Sequence, residues 1–172
     1  MMIPVRVILI VFSVLLCALN ACETPSSRSS ASGVVHASAD TSLANELQRL
    51  GEIELRAIFS GDYETLLETW SDSAVVYGAM KPPLRGKAAI REDYMNQRKM
   101  GVKTHAFRTV TEKLWRLGNE IYEYGTWALA ISTNDHPVPA AYKGGYFLIR
   151  ERTQAGALLT TFMMTTVDHP LP

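Results

Sequence analysis

The sequence predicts an α+β domain in which three helices precede a strongly curved antiparallel sheet. Apolar residues recur at helical spacing between Ser42 and Ser60, and two shorter helical segments follow before Gly101. From about residue 104 onward, two long hairpins are rich in β-branched and aromatic residues. A chain that groups its helices before its strands in this way is typical of the α+β class.

The first helix has one apolar face with a carboxylate at its centre. Its apolar residues follow helical spacing: Leu43, Leu47, Leu50, Ala57 and Ile58. At about 100° per residue these side chains fall within a narrow arc, and Glu54 falls in the middle of that arc. A carboxylate on a buried face costs on the order of several kcal/mol unless it is paired, hydrogen-bonded or protonated. Glu54 is therefore the first candidate for a functional residue that faces a pocket. The alternative is a structural carboxylate that pairs with an inward Arg, Tyr or Trp donor.

A glycine and an aspartate separate the first helix from the second. Gly61 ends the first helix, and Asp62 is well placed to cap a helix that we expect from Tyr63 to Trp70. A short strand is expected from Ala74 to Tyr77. The two prolines at positions 82–83 then force an extended turn before the third helix.

The third helix is expected to begin at Gly86-Lys87 and to continue to about Met100. One side of this helix is formed by Ile90, Tyr94 and Gln97, which follow helical spacing. The remaining residues are expected to form strands. The hairpin strands are residues 104–117, 120–132, 141–153 and 157–170, with turns at Gly118-Asn119 and at residues 154–156.

Either face of the strand at residues 120–132 could line the interior of the domain. Side chains alternate along a strand, so Tyr122 and Tyr124 share one face with Thr126, whereas Glu123 and Trp127 share the other face with Gly125. Two alternatives therefore remain, and they place different aromatic residues inside the domain.

The first 22 residues are expected to be a lipoprotein signal. Arg6 precedes an apolar run from Val7 to Leu19, which is too short for a membrane-spanning helix of about 20 residues but suits a secretory signal. The sequence Leu19-Asn20-Ala21-Cys22 then resembles the bacterial lipobox, in which the cysteine is lipidated and becomes the new N-terminus. We expect export and lipid anchoring to a bacterial membrane through Cys22. The alternative is a plain signal peptide that is cleaved nearby.

Residues 23–41 are rich in serine and alanine and have no periodic apolar pattern. Such a composition cannot bury enough apolar surface to offset the ordering of the chain. We therefore expect a flexible tether that joins the anchor to a domain spanning residues 42–169. Both cysteines of the chain, Cys17 and Cys22, precede the tether, so no disulfide, thiol nucleophile or cysteine metal ligand is expected in the domain.

Charge and motif content disfavour several classes of function. The chain carries 17 basic and 17 acidic side chains, and the domain has no run rich in lysine or arginine, which disfavours nucleic-acid binding. The histidines show no spacing typical of metal ligands. The sequence Lys143-Gly144-Gly145 precedes a strand, whereas a phosphate-binding loop precedes a helix. We therefore expect neither a metal nor a cofactor.

Several short stretches form a recognisable set along the domain. They are SGD at 60–62, Trp70-x-Asp72 followed by AVVYG, RGKAAI at 85–90, YEYGTW at 122–127 and YKGGYFLIRER at 142–152. Together they resemble the SnoaL-like, ketosteroid-isomerase-like members of the nuclear-transport-factor-2-like superfamily, over about residues 43–168. The resemblance implies a cone (a cystatin-like roll) in which a bent sheet wraps around the long helix and leaves a pocket. It also implies a homodimer, because dimers through the outer sheet face are common in this superfamily.

The resemblance assigns roles to individual positions, and two of these positions carry other residue types here. Counting from Trp70-x-Asp72, the catalytic base of the ketosteroid isomerases falls on Gly78, which cannot accept a proton. The oxyanion-donating tyrosine of the first helix falls on Glu54. The tryptophan that usually follows the last turn is also missing, since residues 156–158 are Gly-Ala-Leu.

We expect the pocket to be lined by one carboxylate, one glycine and several aromatic or histidine residues: Glu54, Trp70, Gly78, Tyr94, His105, Trp127 and Tyr146. The favoured function is binding of a small, largely apolar molecule in this pocket. The first alternative is an acid/base enzyme of isomerase, dehydratase or cyclase type with Glu54 as the catalytic residue. The second is a dimeric protein-interaction module with a vestigial pocket.

Overall fold

The computed structural model describes residues 41–79 and 81–168. The expected signal segment with Cys22, residues 23–40 of the expected tether, Met80 and residues 169–172 lie outside the described residues. The elements in chain order are α1 (Thr41–Ser60), α2 (Tyr63–Glu68), β1 (Trp70–Tyr77), β2 (Leu84–Arg85), α3 (Lys87–Lys99), β3 (Lys103–Leu117), β4 (Glu120–Ser132), β5 (Ala140–Arg152) and β6 (Leu158–Thr165). None of the described helices is long and apolar enough to cross a membrane.

The strands form one curved, unclosed sheet in the order β2-β1-β6-β5-β4-β3, and the domain is α+β as expected. The two long hairpins β3–β4 and β5–β6 are antiparallel, with turns where the sequence predicts them. β1 pairs with β6 in parallel, so the last strand of the chain lies beside the first one. Register shifts in β3, near Thr104 and near Thr111, interrupt the pairing with β4 and help to bend the sheet.

The second helix is shorter than the sequence predicts. α2 ends at Glu68, and Trp70 is the first residue of β1, so the predicted helix from Tyr63 to Trp70 was wrong at its end. Thr69 ends the helix because its N–H and its hydroxyl both donate to the Leu66 carbonyl oxygen. The Thr69 carbonyl oxygen then accepts the N–H of Thr160 in β6 (2.8 Å). This hydrogen bond brings the chain into the sheet earlier than the apolar pattern indicates.

The core consists of two apolar clusters with buried polar side chains between them. The smaller cluster consists of Leu47, Ile121 and Leu158. The larger cluster is rich in aromatic side chains, among them Trp70, Tyr94, Trp127, Tyr142 and Tyr146. Along α1, Glu54 lies between Leu47 of the smaller cluster and Ala57 of the larger one. Along β4, Glu123 lies between the same two clusters, so a polar layer crosses the core.

Candidate functional site

The inner face of the sheet is the face that carries Glu123 and Trp127. Along β4 these two residues are buried, whereas Tyr122 and Tyr124 lie on the outer face and are more exposed. This decides between the two alternatives that the sequence leaves open. Along β5 the same alternation buries Tyr146, Leu148 and Arg150. The strands therefore present two ionisable side chains, Glu123 and Arg150, towards α1.

Glu54 lies inside the domain, as its helical phase predicts, and it contacts a buried arginine. The Glu54 side chain is 0 % exposed and the Arg150 side chain is 1 % exposed. Nη2 of Arg150 lies 3.4 Å from Oε2 of Glu54, which is longer than the roughly 2.7–2.9 Å of a charge-assisted hydrogen bond. Nη1 of the same guanidinium donates to Oε2 of Glu123 at 3.0 Å. One arginine thus bridges two buried carboxyl groups.

Glu123 is the better satisfied of the two carboxyl groups. Its Oε1 atom accepts hydrogen bonds from the Tyr146 hydroxyl (2.7 Å) and the Thr111 hydroxyl (2.6 Å). With Arg150 on Oε2, three donors from two strands, β3 and β5, converge on this side chain. Such an arrangement suits an ionised carboxylate, which acts as an acceptor only. We call Glu54, Thr111, Glu123, Tyr146 and Arg150 the polar cluster.

Glu54 has a much poorer set of partners. The neighbouring Thr69 hydroxyl donates to the Leu66 carbonyl oxygen (2.8 Å), and Oε1 of Glu54 has no hydrogen-bond partner within the described structure. Burial raises the pKa of Glu54 from 4.5 to about 8, and the nearby Arg150 and Thr69 oppose this shift only in part. At pH 7 Glu54 is therefore predominantly a neutral carboxylic acid. The positive charge of Arg150 then faces one negative charge, that of Glu123.

Tyr146 also keeps its proton. Burial is the largest cause of a raised pKa for the Tyr146 hydroxyl, and the negative charge of Glu123 acts in the same direction. The phenol therefore remains a hydrogen-bond donor to Glu123 throughout the physiological range. Chemically, the polar cluster combines a neutral acid, a phenol and a guanidinium–carboxylate pair. Such a set can donate hydrogen bonds to a bound molecule, and Glu54 can exchange a proton with it.

The large aromatic residues predicted for the pocket lie together in the larger apolar cluster. Trp70, Tyr94 and Trp127 are buried there, and Tyr146 links this cluster to the polar cluster. Tyr94 stacks on Tyr63 with ring centroids 5.0 Å apart. The indole N–H of Trp127 donates to backbone carbonyl oxygens, whereas that of Trp70 is buried without a hydrogen-bond partner in the described structure.

Two other residues predicted for the pocket lie elsewhere. Gly78 follows the end of β1 and is partly exposed. His105 occupies an exposed position of β3, and its Nε2 atom shares a hydrogen bond with the Ser132 hydroxyl (2.8 Å). The described structure therefore brings neither residue into the polar cluster, and the predicted set divides into an inner group and two peripheral residues.

Three members of the polar cluster were not predicted as site residues: Thr111, Glu123 and Arg150. For two of them a signal was present in the strand alternation. Glu123 shares its face with Trp127, and Arg150 shares its face with Tyr146, so each lies four residues from a predicted pocket residue. Thr111 lies at a register shift of β3, where alternation no longer predicts which way a side chain points.

The site is closed in the described conformation. A side chain that is 0 % exposed touches no space large enough for a water molecule, and this holds for both Glu54 and Glu123. A ligand at Glu54 therefore requires a rearrangement between α1 and the sheet. Within residues 41–79 and 81–168, no group of three histidine, cysteine, aspartate or glutamate residues could hold a metal ion.

Comparison with known proteins finds the fold but no close relative. No protein-family model and no curated protein matches the sequence. A ketosteroid isomerase-like protein from Erwinia carotovora atroseptica SCRI1043 is 15% identical, with a TM-score of 0.60 over 67% of this chain and 88% of that chain. An NTF2-like protein from Cytophaga hutchinsonii ATCC 33406 is 12% identical, with a TM-score of 0.57 over 75% of this chain and 97% of that chain.

A third similar structure is that of a protein from Catenulispora acidiphila in complex with S-DNPA. It is 18% identical, with a TM-score of 0.58 over 74% of this chain and 95% of that chain. Similarity at these identities concerns the fold and leaves the activity open. The three N-terminal helices, the curved six-stranded sheet and these matches agree with the family motifs of the sequence. The chain has the cone fold of the nuclear-transport-factor-2-like superfamily.

Proposed function

We propose that the domain binds a small, largely apolar molecule inside the cone, next to Glu54. The observation that carries this proposal is the state of the Glu54 carboxyl group, which is completely buried while one of its oxygen atoms lacks a hydrogen-bond partner. A buried unsatisfied polar atom costs about 1–3 kcal/mol. An unsatisfied polar atom at the edge of an aromatic-rich cluster is typical of a binding site in which that atom forms a hydrogen bond with a ligand.

The chemistry of the interior indicates what such a ligand is like. The larger cluster offers aromatic and aliphatic surface, and the indole N–H of Trp70 is a second buried polar group without a partner. A mainly apolar molecule with one or two hydrogen-bonding atoms matches this lining. The Catenulispora acidiphila protein supports the proposal, because a protein of similar fold was solved in complex with S-DNPA.

The experiment is native mass spectrometry of the purified full chain. We compare the wild type with Glu54→Leu, which removes both the hydrogen-bond donor and the acceptors of this side chain, and with Glu52→Leu, which changes an exposed position of the same helix. The wild type and Glu52→Leu are expected to carry the same small molecule, and Glu54→Leu is expected to retain about tenfold less of it, because the ligand loses a hydrogen bond in a buried site. Spectra without any bound molecule for all three proteins would contradict ligand binding.

A second candidate function is acid/base catalysis by Glu54. The observation that favours it is the pKa of about 8, which lets this carboxyl group gain and lose a proton near neutral pH. The test is proton exchange at the α-carbon of simple cyclic ketones in D2O, followed by NMR. A rate that rises with pH through about 8 and disappears in Glu54→Gln identifies the carboxylate as a base. Equal rates for the two proteins would exclude this role.

We also propose that the domain is exported and held at a bacterial membrane by a lipid on Cys22. The support is the sequence alone: a short apolar run that ends in Leu19-Asn20-Ala21-Cys22. Expression in a bacterial host with a radioactive fatty acid tests the proposal. The wild type is expected to incorporate the label, whereas Cys22→Ala is expected to stay unlabelled, and Cys17→Ala serves as the control.

Finally, we propose that the domain forms a homodimer through the aromatic part of the outer sheet face. This face carries a continuous set of aromatic side chains, which we call the aromatic array: Tyr77, Trp115, Tyr122, Tyr124, Phe147 and Phe162. Neighbouring rings lie 5.3–6.3 Å apart from centroid to centroid. Tyr77 and Tyr124 are each 39 % exposed, which is unusual for large aromatic side chains and typical of an interface.

A further inference from the structure

A groove on the outer face of the sheet lies apart from the polar cluster. The pairing of β3, β4 and β5 places Arg108, Ala128 and Lys143 in one row across three neighbouring strands. All three are exposed, and they lie on the face opposite Glu123. The next row along the strands is Val110, Thr126 and Gly145. The aromatic array lies further along the same face, towards the β3–β4 turn.

Small residues between two long cations leave this groove open. Ala128 stands between Arg108 and Lys143, and the groove has a volume of about 350 Å³. Sites for small molecules in proteins have volumes of roughly 300–1,000 Å³. The lining includes Arg108, Val110, Thr126, Ala128, Lys143 and Asp168. The groove is therefore large enough for a compact organic molecule.

The charge of the lining is positive on balance. Arg108 comes from one flanking strand and Lys143 from the other, and neighbouring strands are about 4.8 Å apart, so both side chains can reach over Ala128. Within the described part of the chain, neither cation forms an ion pair, in contrast to Arg150 and Arg152. Asp168 is the one acidic side chain among the described lining residues. These two cations and one anion leave an excess positive charge beside Ala128.

The groove also has an apolar side. Val110 is 41 % exposed, and Ala128 adds a methyl group between the cations. Thr126 lies between these two residues in the lining and offers a hydroxyl group next to its methyl group. A ligand that contacts all of these residues needs an acid group at one end and a compact apolar body at the other. This differs from the neutral, enclosed environment of Glu54.

We propose that this groove is a second binding site, which takes a small organic anion with a compact apolar body. The acid group lies between Arg108 and Lys143, and the body lies over Ala128 and Val110. An arginine guanidinium can donate two parallel hydrogen bonds to a carboxylate, and a lysine ammonium adds a point charge. Because the site is exposed, its affinity depends on salt concentration, as expected for screened surface charges.

The test uses two probes that share one shape. The full chain is titrated with naphthalene-2-carboxylate and with the uncharged naphthalene-2-carboxamide, and binding is followed by amide chemical shifts in NMR. The carboxylate is expected to shift the amides of Thr126, Ala128 and Lys143 and to bind about tenfold more tightly than the carboxamide, because only the acid forms charge-assisted hydrogen bonds.

Variants separate the groove from the rest of the surface. The double variant Arg108→Gln, Lys143→Gln is expected to weaken carboxylate binding about tenfold or more. Ala128→Leu places a larger side chain in the groove at an exposed position and is expected to weaken the binding of both probes. The control is Lys99→Gln, Lys103→Gln, which removes the same charge from exposed positions outside the lining and is expected to bind as the wild type does.

Several results would overturn the proposal. They are equal affinity for the two probes, equal weakening in the two double variants, shifts confined to residues around Glu54, or no shift at millimolar probe. Circular dichroism of each variant confirms that it is folded before binding is compared. All substituted residues are exposed, so none of the variants removes part of the core.

Discussion

Glu54 and Glu123 share one buried guanidinium unequally. Arg150 lies 3.0 Å from Glu123 but 3.4 Å from Glu54, and Glu123 also accepts hydrogen bonds from two hydroxyl groups. One cation balances one carboxylate, so the second carboxyl group is stable in the interior only when it carries a proton. Both proposed functions of Glu54, as a contact for a ligand and as an acid or base, depend on the neutral state that this weaker pairing with Arg150 leaves it in.

Replacing Glu54 with glutamine is expected to change the pH dependence of stability. The pKa of Glu54 rises from 4.5 in the unfolded chain to about 8 in the folded one, so between these values the folded state keeps a proton that the unfolded state has lost. The free energy of unfolding of the wild type therefore falls as the pH rises through this window. One pKa unit corresponds to about 1.4 kcal/mol, so we expect a loss on the order of 3 kcal/mol between pH 5 and pH 8.5.

Urea unfolding at these two pH values measures the effect. Glu54→Gln lacks the titrating group, so it is expected to be more stable than the wild type at pH 8.5 and similar to it at pH 5. Glu52→Gln, on the exposed side of α1, is the control and should follow the wild type. Parallel pH profiles for the wild type and Glu54→Gln would show that Glu54 is ionised in the folded protein.

Arg150→Met is expected to destabilise the domain by about 3–5 kcal/mol, because it leaves Glu123 as an uncompensated buried charge. Arg152→Met provides the comparison, since Arg152 pairs with Glu46 near the surface and its loss should cost no more than about 1 kcal/mol. Thermal or urea unfolding measures both.

Adding Glu123→Gln to Arg150→Met should recover part of the lost stability, because the two residues interact directly. Equal destabilisation by Arg150→Met and Arg152→Met, or no recovery in the double variant, would argue against a charged pair in the core.

Gly144→Ala and Gly145→Ala are expected to differ sharply although the residues are adjacent. A Cβ atom at Gly144 would lie 1.9 Å from the Thr166 carbonyl oxygen, so the backbone would have to move. A Cβ atom at Gly145 would have the rotatable Thr166 hydroxyl as its nearest neighbour, at 3.2 Å. We expect a loss of about 2 kcal/mol or more for Gly144→Ala and less than about 1 kcal/mol for Gly145→Ala. Similar losses would mean that β5 and the chain after β6 pair differently.

Tyr124→Glu is expected to abolish the proposed homodimer, because it places a charge within the aromatic array. Sedimentation velocity over a range of protein concentrations measures the association. Lys103→Glu changes the charge at an exposed position outside the array and serves as the control. A wild type that sediments as a monomer at every concentration would rule out the homodimer, and the aromatic array would then need another explanation.

Local patterns predicted the elements and one half of the site. The helical phase of α1 placed Glu54 inside, and the predicted cap is present, since Asp62 accepts the N–H of Thr65 at the start of α2. Both hairpin turns also lie where the glycines predict them. These features depend on residues a few positions apart, and periodicity and capping rules describe such relationships directly.

The other half of the site depends on pairing between distant residues. Glu54 and Arg150 are 96 residues apart, and only the sheet order brings them together. The same applies to Trp70. It belongs to β1 because the carbonyl oxygen of the preceding residue, Thr69, accepts the N–H of Thr160 in β6, which is distant in sequence. A single sequence gives the two faces of a strand but not the face that is covered. Alternation therefore linked Glu123 to Trp127 and Arg150 to Tyr146, but the sheet had to show that these faces point inward.

The most direct test of the proposed site is the pKa of Glu54 itself. The side-chain carboxyl carbons of the wild type can be labelled with 13C and followed by NMR from pH 4 to pH 10, with Glu54→Gln identifying the signal. We expect this signal to titrate with a midpoint of about 8. A midpoint near the ordinary value of 4.5 would show that Glu54 is an ionised partner of Arg150 at neutral pH, and it would contradict the neutral, ligand-facing acid proposed for this fold.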